Sequence, residues 1–182
     1  MKLCILAIMM WLTGLNNVID RGVYSLKIGM DIDEFKNVVE AEDVTEKHFH
    51  VDNEKIFKVT KFKSYKGKEI RRMYVFFYRN KLYRVDIKYC FECLSKPKWD
   101  EMMKGLFKRY NLPKVNNYYI YGWDDGLTEA IVFRREYLLI YRDDKVTDVV
   151  NAEEDKIFPF LKEFEKEIEK ILEESEKKKK SI

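Results

Sequence analysis

The chain has 182 residues, with 35 basic and 32 acidic side chains, a net charge of +3 and charged residues at 37%. Twelve Tyr and twelve Phe exclude wholesale disorder and call for a packed core. The length suits one ordinary domain or two small ones sharing a core, and no segment beyond the N-terminus is long and apolar enough to span a bilayer.

The chain begins MKLCILAIMMWLTGLNN, with Lys2 ahead of a charge-free apolar run from Leu3 to Leu12, then Thr13 and Gly14. This is the layout of a secretory signal peptide over residues 1–17. A helix from Leu3 to Leu15 would rise only ~20 Å, short of the roughly 30 Å hydrocarbon core. Export to a periplasmic or extracellular location is therefore expected, with a retained N-terminal membrane anchor as the alternative. Cys4 lies at the very start of the apolar run, whereas a lipid-attachment cysteine follows it.

VYSLKIG reads as a first strand, ended by Gly29. Asp31, with Glu34 three residues on, opens a helix whose Ile32, Phe35, Val38 and Val39 share one face. Acidic, irregular sequence is expected from Ala41 to Lys55. Three strands follow, at 56–65, at IRRMYVFFYR and at LYRVDIKY, where Tyr83, Val85, Ile87 and Tyr89 alternate with Arg84, Asp86 and Lys88. The short turns between them imply an antiparallel meander.

From about Pro97 to Tyr110, residues Trp99, Met102, Met103, Leu106, Phe107 and Tyr110 follow the helical template without a gap. Asn111 and Pro113 stop this helix. Three more strands follow at YYIYGW, LTEAIVFR and YLLIY. A last helix is expected near Phe158, where Phe160, Leu161, Phe164, Ile168, Ile171 and Leu172 form a stripe ahead of a Lys-rich tail. The fold class is thus α+β: two helix-plus-three-strand antiparallel halves forming a pseudo-repeat, with an added C-terminal amphipathic helix. In residue numbers, a duplicated domain spans 18–150, with halves at about 23–93 and 94–150, and the helix and tail occupy 151–182.

At SLKIGMDIDEFKNVV the chain resembles small bacterial envelope domains of the outer-membrane-assembly lipoprotein and β-lactamase-inhibitor-protein type. In these, Gly-Met precedes an acidic helix packed on an antiparallel sheet, and the domain is often doubled. The resemblance implies protein binding in the cell envelope, without catalysis and without a cofactor.

Cys90 and Cys93, in CFEC, have three readings. A redox pair needs its first cysteine near a helix N-terminus, and Cys90 lies well before Pro97 with Glu92 opposing ionisation. Zinc needs about four ligands, a number reached only if the fold brings His48 and His50 to Cys90 and Cys93. In an oxidising compartment the two thiols most simply bond to each other.

Charge offers another candidate site. Residues 56–98 hold 13 basic side chains against three acidic ones, while 30–55 hold nine acidic against three basic. An anion-binding sheet surface is expected from Lys61, Lys63, Arg72, Arg79, Arg84 and Lys88 with Tyr74 and Tyr78 interleaved. The competing reading is that the acidic stretch neutralises it locally. No catalytic constellation emerges, and Asp124-Asp125-Gly126 is first a turn.

The functional expectation is a non-enzymatic exported binding or structural module whose partner is another envelope protein. One alternative is a thiol-redox or zinc-binding protein using Cys90 and Cys93. Another is a binder of nucleic acid or an anionic surface through residues 56–98. Intact mass of the protein from its native host checks the export reading. A species lacking about 14 to 17 N-terminal residues is expected, and a full-length chain contradicts it.

Overall fold

The computed structural model describes residues 21–62, 69–90, 92–93 and 96–157. Among these residues the architecture is α+β, three helices with one eight-stranded antiparallel sheet and a small two-stranded ribbon. The ribbon is β1 (Gly22–Val23) and β2 (Leu26–Lys27), followed by α1 (Ile32–Val38) and β3 (Val39–Asp43). A 3-10 turn at Thr45–Lys47 leads to β4 (Glu54–Phe62), β5 (Ile70–Tyr78) and β6 (Lys81–Tyr89). After α2 (Lys96–Tyr110) come β7 (Val115–Asn116), β8 (Ile120–Asp124), β9 (Thr128–Phe133), β10 (Leu138–Asp143) and α3 (Asp144–Ile157).

The spatial order β3-β4-β5-β6-β10-β9-β8-β7 consists of two meanders, each running from an outer edge inward. They meet where β6 and β10 pair antiparallel, with Ile87 opposite Leu139 and Val85 opposite Tyr141. Local chemistry sets the turns. Arg79 and Asn80 both take positive φ, 49° and 68°, as a two-residue hairpin with right-handed strand twist requires. Asn111, at φ 59°, ends α2 where the sequence places its stop.

Helices α1 and α2 lie on one side of the sheet. Phe35 of α1 is fully buried, its ring 5.5 Å from Phe57 and 5.2 Å from Phe77 in tilted and edge-on contacts. On the other meander, Phe107 of α2 lies 5.5 Å from Trp123, and Trp99 lies 4.6 Å from Tyr137. Tyr110 and Tyr141 bury their hydroxyls against each other at 2.9 Å. Val75, Val85, Ile87, Val132 and Leu139 join these rings into a single cluster that spans both meanders. Gly29, at φ 93°, turns the chain into α1, and its N–H donates to the Leu82 carbonyl at 2.7 Å.

Several elements differ from expectation. VYSLKIG is a tight ribbon because Tyr24 takes a left-handed φ of 54°, which breaks an extended run. The first helix ends at Val38, and Val39–Asp43 is an edge strand on β4 where irregular sequence was expected. Its outward Glu40 and Glu42 sit opposite Lys61 and Lys58, so the charges that disguise this strand also pair it. With β3 and β7 each half has four strands, not three.

Tyr83 does not share a face with Val85. A register shift opposite Phe76 and Phe77 inserts Tyr83 as an extra residue, so Leu82 takes the helix side and Tyr83 turns to the other. At the C-terminal end, α3 begins directly at Asp144 and runs across position 150. The stripe from Phe158 onward and the segment 1–17 lie outside the described residues. No helix among the described residues is long and apolar enough to cross a membrane.

Replacing Phe35 by Ala removes the ring that anchors α1 to β4 and β5. A loss of about 3–5 kcal/mol in urea unfolding is expected, and a loss below about 1 kcal/mol contradicts this packing.

Candidate binding face

The side of the sheet away from α1 and α2 divides in two. One part is covered by α3 and by the segment 44–54, with Val51, Tyr78, Tyr83 and Val150 buried together. Beneath them the Glu54 carboxylate, 7% exposed, accepts the Tyr83 hydroxyl at 2.6 Å and the Val51 N–H at 3.1 Å. Burial, and then the Glu54 contact, drive the Tyr83 pKa far upward, so its hydroxyl stays a donor. From α3, Glu153 accepts the Tyr78 hydroxyl at 2.7 Å.

The other part carries two rows set by strand register. Ile120, Phe133, Leu138, Lys88 and Arg72 lie opposite one another across β8, β9, β10, β6 and β5. Beside them run Gly122, Ile131, Ile140, Asp86, Tyr74 and Lys58. Ile120, Ile131, Phe133 and Leu138 are only half-buried, an apolar surface that grades into Lys88 and Arg72. At the same end of the sheet, Tyr118 and Tyr119 are 64% and 53% exposed. The Arg135 guanidinium lies 4.9 and 4.8 Å from their ring centres, and Arg134 lies 4.8 Å from that of Tyr121. A hydrogen bond from Arg135, then its charge, lowers the Tyr118 pKa.

The sequence-derived basic set is brought together only in part. Arg72, Tyr74, Arg84 and Lys88 share this side of the sheet, and Tyr78 lies on it under α3. Arg84 is neutralised by a two-point pair with Asp86 at 2.8 and 2.7 Å, and its guanidinium stacks 4.8 Å from Phe76. Lys61 pairs with Glu40 at 3.0 Å on the edge, and Arg79 sits in the hairpin turn 5.1 Å from the Tyr78 ring. Lys63 lies outside the described residues. The acidic stretch thus neutralises the edge and roofs one corner, while Arg72 and Lys88 carry no carboxylate partner among the described residues.

Cys90 and Cys93 are joined in a disulfide with 5.1 Å between their Cα atoms, at the end of β6. The bonded sulfurs offer no thiolate to a metal. His48 and His50 lie after the 3-10 turn and not in a strand. The His48 ring packs edge-on 5.1 Å from Tyr74, and His50 Nδ1 lies 3.1 Å from the His48 carbonyl. Among the described residues no three His, Cys, Asp or Glu side chains gather to hold a metal ion.

Comparison with protein-family models, curated proteins and solved structures gives no match. The functional reading therefore rests on this chain's own geometry.

The aspartates of the DDG turn cap its backbone. Asp124 accepts Gly126 N–H at 2.6 Å, and Asp125 accepts Leu127 and Thr128 N–H at 2.9 and 2.8 Å. Sequence reading missed Asp144, which faces Asp124 across the start of α3. Burial, then the Asp124 carboxyl, lift its pKa from 3.8 to about 6. A carboxyl raised on folding contributes stability that is full below pH ~4 and is lost as pH rises through ~6. Asp144→Asn is therefore expected to gain about 1 kcal/mol over the parent at pH 7.5, after solvent screening of a half-exposed group, and little at pH 4. A pH-independent difference in Tm contradicts this assignment.

Proposed function

We propose that the protein is a non-enzymatic, exported binding module of the cell envelope, which holds a protein partner on the half-apolar rows of its sheet. The observation that carries this reading is the row Ile120–Phe133–Leu138 running into Lys88 and Arg72, which no element among the described residues covers. Apolar residues at the centre with Arg and Tyr at the margin form the composition of protein interfaces. Charge complementarity specifies the partner as an apolar patch with acidic groups beside it.

The chain twice runs from a helix into a four-strand meander. This order supports descent from a duplicated unit, and with it the kinship to doubled envelope domains that the SLKIGMDIDEFKNVV segment implies. The pairing of Arg84 and Lys61 with carboxylates weighs against nucleic acid, whose phosphates need a run of unpaired cations. The bonded Cys90 and Cys93 weigh against a zinc role.

The test places a photo-crosslinking amino acid at Phe133 in the full chain, expressed in its native host, with exposed Lys104 on α2 as the comparison position. One discrete heterologous adduct from position 133, none from 104, and its loss on Leu138→Glu are expected. Equal crosslinking from both positions, no adduct from 133, or an adduct only to another copy of this chain contradicts the reading.

A further inference from the structure

The first turns of α3 close a cleft of about 310 Å³ over the ends of β8, β9 and β10. Asp124, Glu129 and Arg142 form its floor as register neighbours on adjacent strands. Asp144, Thr147 and Asp148 form its wall from α3. Two of the four carboxylates already have cations: Arg142 Nε donates to Glu129 at 2.6 Å, and Lys114 Nζ donates to Asp124 at 2.7 Å. Asp144 and Asp148 have no ion-pair partner among the described residues.

Acidic residues at the start of a helix are accounted for by the helix dipole. Thr147 is not. It is 5% exposed, lines the cleft, and its hydroxyl has no hydrogen-bond partner among the described residues. A dipole does not satisfy a buried hydroxyl, and such orphans are rare in native structures.

The carboxylates are too dispersed to meet on one metal ion, since no three of them gather within ligand distance. A cation with several N–H donors matches such a spread, because each donor reaches a different acceptor. We propose that the cleft binds a primary alkylammonium group, the chemistry shared by a lysine side chain and a polyamine, held by the Asp144 and Asp148 carboxylates and the Thr147 hydroxyl. This site shares no residue with the rows of the sheet face, so it stands or falls independently of that surface.

The full-length, isotope-labelled protein is titrated by NMR with spermidine and, separately, with an acetyl-Gly-Lys-Gly-amide peptide. A saturable shift centred on the amides of residues 144–148 is expected with at least one probe. Asp144→Asn weakens it about tenfold, the loss of one charge-assisted hydrogen bond. Thr147→Val, which keeps every charge, weakens it several-fold, and Thr147→Ser restores it. Tighter binding of spermidine assigns the site to a free polyamine, and tighter binding of the peptide assigns it to a lysine side chain. No saturable shift with either probe up to tens of millimolar overturns the proposal. So does equal binding by Thr147→Val, which reduces the effect to diffuse charge, or displacement of both probes by calcium chloride at the same residues.

Discussion

The pairing of β6 with β10 is the constraint on which the rest of the molecule depends. Each meander alone has an inner strand with an unpaired edge, and a sheet edge buried beside a core cannot leave its N–H and C=O groups unmatched. Joining the inner strands satisfies both edges at once and makes eight strands continuous. It also sets Ile87 against Leu139 and Val85 against Tyr141, so the aromatic clusters under α1 and α2 become one core.

The two sides of the sheet then have different tasks. On the helix side nearly every side chain is apolar, and the Tyr110 and Tyr141 hydroxyls satisfy each other. On the other side, the covered part holds polar groups in matched sets such as Glu54 with Tyr83 and Tyr78 with Glu153. Removing one member of such a set strands a buried polar group, which costs more than the bond itself contributes. Arg72 and Lys88, at the end of the row that no described element covers, have no carboxylate partner among the described residues. The half-buried Ile120, Phe133 and Leu138 beside them are what a partner surface requires.

Sequence periodicity located α2, β5 and β6 well, because a buried stripe at helical spacing, or a strict alternation, seldom arises in any conformation but its own. It missed β3, since Glu40, Glu42 and Asp43 look like a solvated loop until Lys58 and Lys61 are placed beside them. It also missed α3. The modestly apolar DKVTDVV that follows YLLIY carries no stripe to announce a helix. The inserted Tyr83 broke an alternation that looked perfect, because a bulge is set by the partner strand. The apolar rows were hidden for a related reason: Ala130, Ile131, Val132 and Phe133 are all apolar, and only the packed sheet decides which two face α2. For Cys90 and Cys93 proximity alone left bond, redox pair and metal ligand open. The doublets Tyr118-Tyr119 and Arg134-Arg135 were the one signal of the aromatic and basic end of the sheet that sequence reading passed over.

Site-resolved amide hydrogen exchange across a series of low urea concentrations tests the central claim most directly, that both halves form one cooperative unit through β6 and β10. Protected amides of β5, β6, β9 and β10 are predicted to exchange through the same opening, with one free energy and one dependence on denaturant. If the amides of β8 to β10 open at a distinctly lower free energy than those of β4 to β6, the halves unfold separately and the continuous sheet is not what holds the molecule together.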